Sequence, residues 1–266
     1  MQHITSKHNP RLREAIALIT SARDRRKAGK CVLEGEHLIG VYGARHGMPE
    51  TLIVTDAAMG RPTVRALAER YGERTLIVPE SLLGALATLP ASIGMLAVVA
   101  PPQSALRENA ALYLLLDDIQ DPGNVGSMLR SAAAAGVAQV LLSKRCAFAW
   151  SPKVLRAGQG AHFCVDIVEG VELAAWAVSY REGGGQVVAT VAQGGTTLYE
   201  APLAGRVAFA IGNEGAGLSA ELAAQATLRV SIPMSGGVES LNAAAAAAVC
   251  LFECVRQRAV DGDAIA

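Results

Sequence analysis

Short apolar runs alternate with longer amphipathic segments from Leu112 to the end of the chain. The runs predict strands and the segments between them predict helices. The predicted strands are 112–116, 138–142, 164–168, 186–191, 207–211 and 228–232, and the predicted helices are 123–136, 152–158, 172–181, 219–225 and 241–256. Strands that alternate with helices predict an α/β unit with a mostly parallel sheet. The first run, LYLLL, is apolar throughout, as in a strand covered on both faces.

The first hundred residues show a smaller version of the same alternation. A basic helix is predicted after Pro10, and the rest reads as strand, helix, strand, helix, strand, helix, strand. Residues 31–56 read as a short strand, a helix, a Gly-Met-Pro turn and a strand, and the further elements are predicted at 61–71, 75–78, 80–89 and 93–99. Paired prolines and polar residues then mark a linker at 101–110. We therefore predict a domain at 1–100, the linker, and a second domain at 111–266.

The last strand and helix are joined by a polar, glycine-containing loop. Pro233 ends the strand, because proline cannot donate to a sheet ladder. Gly236 and Gly237 allow unusual backbone conformations, and Ser240 is the expected N-cap of an alanine-rich helix that begins at Leu241. A helix N-terminus of this kind presents unpaired N–H groups to a ligand.

Three loops that follow predicted strands hold the candidate chemistry. The first, 117–130, contains Asn124 and ends at Arg130 inside a helix; the second, 211–219, has three glycines around Glu214. The third, 232–242, contains Ser235, Glu239, Ser240 and Asn242. In an open α/β sheet, ligands bind beyond the carboxyl ends of the strands. We therefore expect the three loops to converge on one ligand.

Common catalytic patterns are missing from the sequence. No GxGxxG motif follows the first strand, and no GxxxxGK[ST], HExxH, GxSxG or CxxC pattern occurs. Asp117, Asp118 and Asp121 favour turn and helix-terminus roles over metal binding, so no metal site is predicted. From spacing alone the chain is an α/β ligand-binding protein.

The distribution of charge along the chain adds an expected ligand to this interpretation. The formal net charge of the 266 residues is zero, but residues 1–30 hold eight Lys or Arg and two acids, which gives +6 there and −6 in the remainder. A concentrated basic segment indicates a surface that meets phosphates, although a solvated basic helix would look the same. No apolar run has the length of a membrane span, and the N-terminus is too polar for a signal peptide. We expect a cytoplasmic protein that does not enter a membrane.

In order and content, the three loops resemble the signature motifs of the SpoU/TrmH family of RNA ribose 2'-O-methyltransferases. The first motif matches 121–126 with Arg130, the second matches 211–219, and the third matches 232–234, Gly236 and 240–243. The resemblance covers about residues 111–258, and 1–100 resemble the ribosomal-protein-like substrate-binding domain of several members. Residues 151–157 also resemble a family segment, but Gly158-Gln159 stand where the family often has a small hydroxyl residue.

The resemblance implies a SPOUT-type parallel sheet with a deep C-terminal trefoil knot and S-adenosyl-L-methionine as cofactor. The implied cofactor-binding residues are Gly212, Asn213, Ile232, Met234, Leu241 and Thr190. The implied catalytic group consists of Arg130, Asn124, Glu214, Ser240 and Asn242. Arg130 would orient the ribose and polarise its hydroxyl, or act as the base, and Asn124 would position Arg130 or the hydroxyl. The expected RNA-binding residues are Lys7, Arg11, Arg23, Arg25, Arg26, Lys27 and Arg156.

The resemblance further implies a homodimer formed through the knot region, with structured RNA as substrate. Ribosomal RNA is favoured over transfer RNA because of the basic N-terminal domain. An rRNA methyltransferase that confers antibiotic resistance and a non-catalytic RNA-binding protein are the alternatives. The intact motif residues favour an active enzyme.

Overall fold

The computed structural model describes residues 1–84, 94–235 and 240–260. The chain forms two compact units, one of Met1–Pro102 with Trp150–Phe163, and one of Gln103–Ala149 with the chain from Cys164 onward. The predicted division had assigned 150–163 to the second domain, whereas this segment belongs to the first compact unit. Of the predictions above, the end of the 80–89 helix, Ile93, Gly236, Gly237 and Glu239 lie outside the described residues.

The first unit is built on a mixed five-stranded sheet. Its elements are β1 (Gln2–His3), α1 (Pro10–Thr20), α2 (Ala22–Ala28), β2 (Cys31–Glu34), α3 (Glu36–Arg45), β3 (Thr51–Thr55), α4 (Pro62–Tyr71), β4 (Thr75–Val78), α5 (Glu80–Gly84) and β5 (Met95–Val99). The strand order is β1-β4-β3-β5-β2. β1, β4 and β3 pair in parallel, whereas β5 runs antiparallel to both β3 and β2.

The basic N-terminal segment forms two helices rather than the single one predicted. Asn9 caps α1, which buries Leu12 and Leu18 against the sheet. The side chain of Ser21 then accepts a hydrogen bond from the backbone N–H of Asp24 and caps α2. A serine of this kind ends one helix and begins the next, because it satisfies an N–H that has no partner within the new helix.

The second unit contains a seven-stranded sheet in which every pairing is parallel. Its chain runs through β6 (Leu112–Asp117), α6 (Pro122–Ala134), β7 (Gln139–Leu142), then α7 (Pro152–Gly158) of the first unit, β8 (Asp166–Glu169), α8 (Leu173–Glu182), β9 (Gln186–Thr190), β10 (Thr196–Thr197), β11 (Val207–Gly212), α9 (Ala220–Ala223), β12 (Leu228–Ser231) and α10 (Ala243–Val260). The strand order is β10-β12-β9-β11-β6-β7-β8. The predicted parallel α/β sheet is confirmed.

The final helix begins two residues later than predicted. Asn242 Oδ1 accepts hydrogen bonds from the backbone N–H groups of Ala244 and Ala245, at 2.9 and 3.3 Å, so Asn242 caps α10. The prediction that Ser240 is the cap is therefore wrong. Both residue types suit this position, and the one that caps is the one whose side chain reaches the unpaired N–H groups. None of the helices in the described ranges is long and apolar enough to cross a membrane.

Candidate active site

The strand order brings two of the three loops to neighbouring positions at one edge of the second-unit sheet. β6 and β11 are adjacent, and Asp117 at the end of β6 lies opposite Gly212 at the end of β11. β9 lies on the other side of β11, and β12 lies next to β9, so β12 is two strands away from β11. Because all these strands are parallel, their carboxyl ends share one edge, as the convergence of the loops requires.

Asp117 ties the second loop to the end of β6. Its carboxylate is 6% exposed, and its Oδ2 atom accepts hydrogen bonds from both the backbone N–H and the hydroxyl of Ser219, at 2.8 and 2.6 Å. A buried carboxylate that accepts two hydrogen bonds is a strong tether. Asp117 was predicted to serve a turn, and the sequence does not indicate this tether because the two residues are 102 positions apart.

The second loop folds back on itself around Asn213. The backbones of Asn213 and Gly217 exchange two hydrogen bonds of 2.9 Å. Asn213 Oδ1 accepts from the N–H groups of Gly215 and Ala216 at 3.0 Å, and Asn213 Nδ2 donates to the carbonyl of Asp118 at 3.0 Å. The side chain of Asn213 therefore shapes the loop and joins it to the first loop.

Glycine at position 212 is required by this close turn. A Cβ atom added there would lie 2.2 Å from the carbonyl carbon of Gly217 and 2.4 Å from the nitrogen of Leu218. Both are backbone atoms, which cannot rotate away as a side chain could. Gly217 itself has a φ of +71°, in the left-handed region that glycine adopts without strain.

A chain of three polar side chains joins all three loops. Asn124, in the first turn of α6, donates through Nδ2 to Glu214 Oε1 in the second loop. The Oδ1 atom of the same residue accepts from Asn242 Nδ2 at 2.9 Å. Since Asn242 also caps α10, this chain connects the N-termini of two helices through one amide group. Asn124, Glu214 and Asn242, which the sequence analysis put in one group, lie together.

The second and third loops, together with the end of β9 and the residues that follow it, line a cavity of about 560 Å³. All six predicted cofactor-binding residues line it, namely Thr190, Gly212, Asn213, Ile232, Met234 and Leu241. Glu214, Ser240 and Asn242 line it too, as do Val191 and Ala192, which sequence reasoning missed. The last two directly follow β9, and the position of β9 between β11 and β12 could have indicated them. Backbone groups and apolar side chains dominate this wall.

The composition and size of this cavity fit an adenosine-containing cofactor. Ligand sites typically enclose about 300 to 1,000 Å³, with mainly apolar walls and a few placed polar groups. The backbone of 212–217 supplies such polar groups, and Ile232 and Leu241 supply apolar surface. The glycine at position 212 keeps this wall free of a side chain. The residues present therefore suit S-adenosyl-L-methionine.

Arg130 lies on the exposed side of α6 and is not among the residues that line this cavity. Within the described parts of the chain, its guanidinium makes no hydrogen bond or ion pair. Asn124 bonds to Glu214 and Asn242 and, among the described residues, not to Arg130, so its role in positioning Arg130 or the hydroxyl stays a prediction. Arg130 therefore uses none of its donors within the described residues.

The predicted RNA-binding residues of the first unit fall into two groups. Lys7, Arg23, Arg26 and Lys27 are exposed, as a phosphate contact requires. Arg25 is 7% exposed, and its Nη1 atom donates to the carbonyl oxygens of Leu18 and Ile19 at 2.6 and 3.0 Å. Burial lowers the pKa of the Arg25 guanidinium. The side chain is buried and its Nη1 donors are used within the protein, so the prediction that Arg25 contacts RNA is wrong.

Two further arginines of this set have partners in the first unit. Arg11 is half-buried; it donates to the carbonyl of Arg74 at 2.6 Å and to the Thr51 hydroxyl at 3.1 Å, and burial lowers its pKa. Arg156 on α7 is exposed and pairs with Glu34 at 2.9 Å. Arg11 therefore contributes to the fold, whereas Arg156 has donors left for a ligand.

Comparison with known proteins extends these observations. A family profile described as the SpoU rRNA Methylase family matches residues 111–252. The 23S rRNA (guanosine(2553)-2'-O)-methyltransferase RlmP of Bacillus subtilis is 31% identical over 252 residues, which cover 95% of this chain and 98% of that protein. The crystal structure of the SpoU methyltransferase AviRb from Streptomyces viridochromogenes in complex with AdoMet has a TM-score of 0.82 at 30% identity, over 95% of this chain and 99% of that chain. An AdoMet-bound rRNA methyltransferase from Sinorhizobium meliloti has a TM-score of 0.83 at 26% identity, over 96% of this chain and 98% of that chain.

Proposed function

Because this chain belongs to the SpoU rRNA methylase family, we propose that it transfers a methyl group from S-adenosyl-L-methionine to a ribose 2'-hydroxyl of ribosomal RNA. One observation carries the proposal: three loops that are far apart in sequence are joined through Asn124, Glu214 and Asn242, and two of these loops line a single cavity. The motif resemblance covers about residues 111–258 and the family profile matches residues 111–252, so both identify the same segment.

The cavity residues hold the cofactor in this proposal. The backbone of 212–217 would hydrogen-bond its adenosine part, and Ile232, Met234 and Leu241, which line the cavity, would pack against it. When bound, S-adenosyl-L-methionine supplies an electrophilic methyl group. The hydrogen bonds of Asn124 with Glu214 and Asn242 hold the three loops together. Ser240 and Thr190 complete the wall of the cavity.

Arg130 acts on the RNA. An attacking 2'-hydroxyl must lose its proton, or be strongly polarised, as it becomes a nucleophile. A guanidinium has a pKa above about 12 and is a poor base, so Arg130 orients the ribose and a neighbouring phosphate and favours the alkoxide by its charge. Its exposure on α6 and its unused donors support this role.

Ribosomal RNA is favoured over transfer RNA as the substrate. The relative named as a 23S rRNA methyltransferase matches 95% of this chain, so the match extends through the first unit as well as the second. Exposed cations at Lys7, Arg23, Arg26 and Lys27 give that unit a surface suited to phosphates. The cytoplasm, where ribosomes are made in bacteria, is the expected location.

The proposal includes two properties implied by the family resemblance. The C-terminal segment is threaded as a trefoil knot, an arrangement that general folding rules make rare. Two copies associate through this region. On α10, the side chain of Phe252 is 48% exposed, and burial against a second copy would remove this aromatic surface from water. Light scattering should give twice the chain mass, and a monomer at micromolar concentration would contradict this part.

The proposed activity is tested with labelled S-adenosyl-L-methionine and purified rRNA or tRNA. We expect label in 23S rRNA at a nucleotide whose 3' linkage resists alkali, since a methylated 2'-oxygen cannot attack the phosphate. Mass-spectrometric mapping of rRNA from cells with and without the protein should locate the same ribose. Product in tRNA alone would overturn the rRNA assignment. Cofactor binding without any RNA product would leave only a binding protein.

A further inference from the structure

A second cavity lies within the first unit, where the start of α3 faces α7. Its volume is about 360 Å³, and its walls include Glu34, Glu36, His37, Leu155 and Arg156. This is near the lower limit for a small-molecule site and suits a group the size of one nucleobase. None of its lining residues belongs to the proposed methyl-transfer site.

One oxygen of the Glu34 carboxylate has no partner among the residues that the structure describes. The side chain is 8% exposed, and its Oε2 atom accepts from Arg156 Nη2 at 2.9 Å. Its Oε1 atom is buried and accepts no hydrogen bond from any residue of the described ranges. A buried acceptor without a donor is costly, and such groups in folded proteins are nearly always bonded.

Glu36 shows that an acid in the same cavity can be fully satisfied by the protein. One oxygen of its carboxylate pairs with Arg61 at 2.7 Å, and the other accepts from the hydroxyl of Thr63. The unused oxygen of Glu34 is therefore not a general property of acids at this position. It marks the point at which a ligand would donate a hydrogen bond.

The groups around Glu34 match one edge of guanine. A carboxylate is only an acceptor, and guanine presents two adjacent donors on its Watson–Crick edge, N1–H and the N2 amino group. The next atom along that edge is the O6 acceptor, which suits a guanidinium such as Arg156 with donors to spare. The exposed ring of His37 offers a surface on which a base can stack.

We propose that this cavity binds an unpaired guanine of the substrate RNA, with Glu34 accepting hydrogen bonds from its N–H groups and Arg156 donating to its O6. RNA is commonly read in this way, by stacking and by hydrogen bonds to the Watson–Crick edge of bases outside a helix. The proposal rests on the proposed RNA substrate and adds a base-reading site to it.

The test measures binding of five-nucleotide RNAs to the full chain by fluorescence anisotropy, without cofactor. The sequences UUGUU, UUAUU, UUCUU and UUUUU differ only in the central base. We expect UUGUU to bind about tenfold more tightly than the others, as a bidentate base contact provides. Equal affinities, or a preference for another base, would overturn the proposal.

Two matched variants and one modified RNA assign the preference to Glu34. Glu34→Gln replaces one acceptor by a donor and should reduce the preference to within about twofold, whereas Glu36→Gln should keep it. If Glu34→Gln retains the preference, the proposal fails. Inosine, which lacks the N2 amino group, should lose part of the advantage of guanine in the unmodified protein; equal binding of inosine and guanine would exclude the two-donor contact. The comparison of inosine with guanine uses only the unmodified protein, so it tests the two-donor contact even if the Glu34 variant does not fold.

Methyl transfer to 23S rRNA is measured separately, so the two proposals can fail independently. A guanine preference that depends on Glu34, with no methylated product, would contradict only the proposed methyl transfer. Methylated product without any base preference would contradict only the guanine site.

Discussion

Polar side chains are used differently in the loops of the second unit and in the basic segment of the first. In the loops, Asn124 and Asn213 bond to groups of other loops, and Asn213 also lines the cavity. In residues 1–30, Arg25 and Arg11 bond to backbone carbonyls of their own unit, and Lys30 pairs with Glu14 and Glu50. The loops assemble a site from distant segments, whereas much of the basic segment secures its own fold.

This difference shows which kind of sequence signal locates function. The loop motifs specify which residue follows which strand, and parallel strands carry that order to one edge of the sheet. A count of positive charges carries no such positional information. Arg23 and Arg25 are two residues apart, yet the first is exposed and the second is 7% exposed. The comparison can be tested by substitutions in both regions.

The largest effect is expected at Arg130. Arg130→Ala should lower kcat by about 10²- to 10³-fold, the range found when one donor that stabilises developing negative charge is removed. Binding of S-adenosyl-L-methionine, measured by calorimetry, should stay within about twofold of the unmodified protein, because Arg130 does not line the cavity.

A matched control for Arg130 lies on another helix of the same unit. Arg181 on α8 is exposed and donates to Gln225 at 2.9 Å. Arg181→Ala should leave kcat nearly unchanged. Equal activity of the Arg130 variant and the control would remove Arg130 from the catalytic group.

A smaller but still large effect is expected at Gly212. Gly212→Ala forces a Cβ against the backbone of Gly217 and Leu218, and such overpacking typically costs about 1 to 3 kcal/mol. The affinity for S-adenosyl-L-methionine should therefore fall by about tenfold or more. Gly215→Ala is the control, because a Cβ there meets only Asn213 Oδ1 at 3.6 Å. If both variants bind the cofactor equally, this wall does not form the cofactor site.

In the basic segment, neighbouring arginines should separate stability from RNA binding. Arg25→Ala removes two buried hydrogen bonds and should lower the free energy of unfolding by about 2 kcal/mol, measured in urea. Arg23→Ala should change this free energy by less than about 0.5 kcal/mol. RNA binding should show the reverse: only Arg23→Ala should reduce the salt dependence of affinity, by about one phosphate contact. Weaker RNA binding by folded Arg25→Ala protein would restore Arg25 to the RNA surface.

The elements with strong periodicity were predicted well, and the contacts between distant segments were not. The predicted strand at 75–78 and helix at 152–158 have the observed bounds. The two-residue strands β1 and β10 were missed because they are too short to show a period. The burial of Arg25 was missed because it depends on the carbonyls that tertiary packing supplies, and nothing local indicates them.

In the candidate site, too, contacts between distant segments were not all predicted. Motif order brought Asn124, Glu214 and Asn242 into one predicted group, and they are bonded in the structure. The Asp117–Ser219 tether had no local signal, since the two residues meet only after β6 and β11 pair. The membership of 150–163 in the first unit is likewise a tertiary property, because its helix pattern is the same in either unit.

The smallest expected effect distinguishes the two candidate caps of α10. Asn242→Ala removes the side chain that accepts from Ala244 and Ala245 and should cost about 1 kcal/mol. Ser240→Ala should cost less than about 0.5 kcal/mol. Hydrogen exchange of the amides in the first turn of α10 measures the stability of that turn directly. The unfolding transitions of the two units therefore need not be resolved from each other. We expect about fivefold faster exchange in the Asn242 variant, the equivalent of 1 kcal/mol. Faster exchange in the Ser240 variant instead would move the cap back to Ser240 and would remove Asn242 as the residue that joins α10 to the first loop.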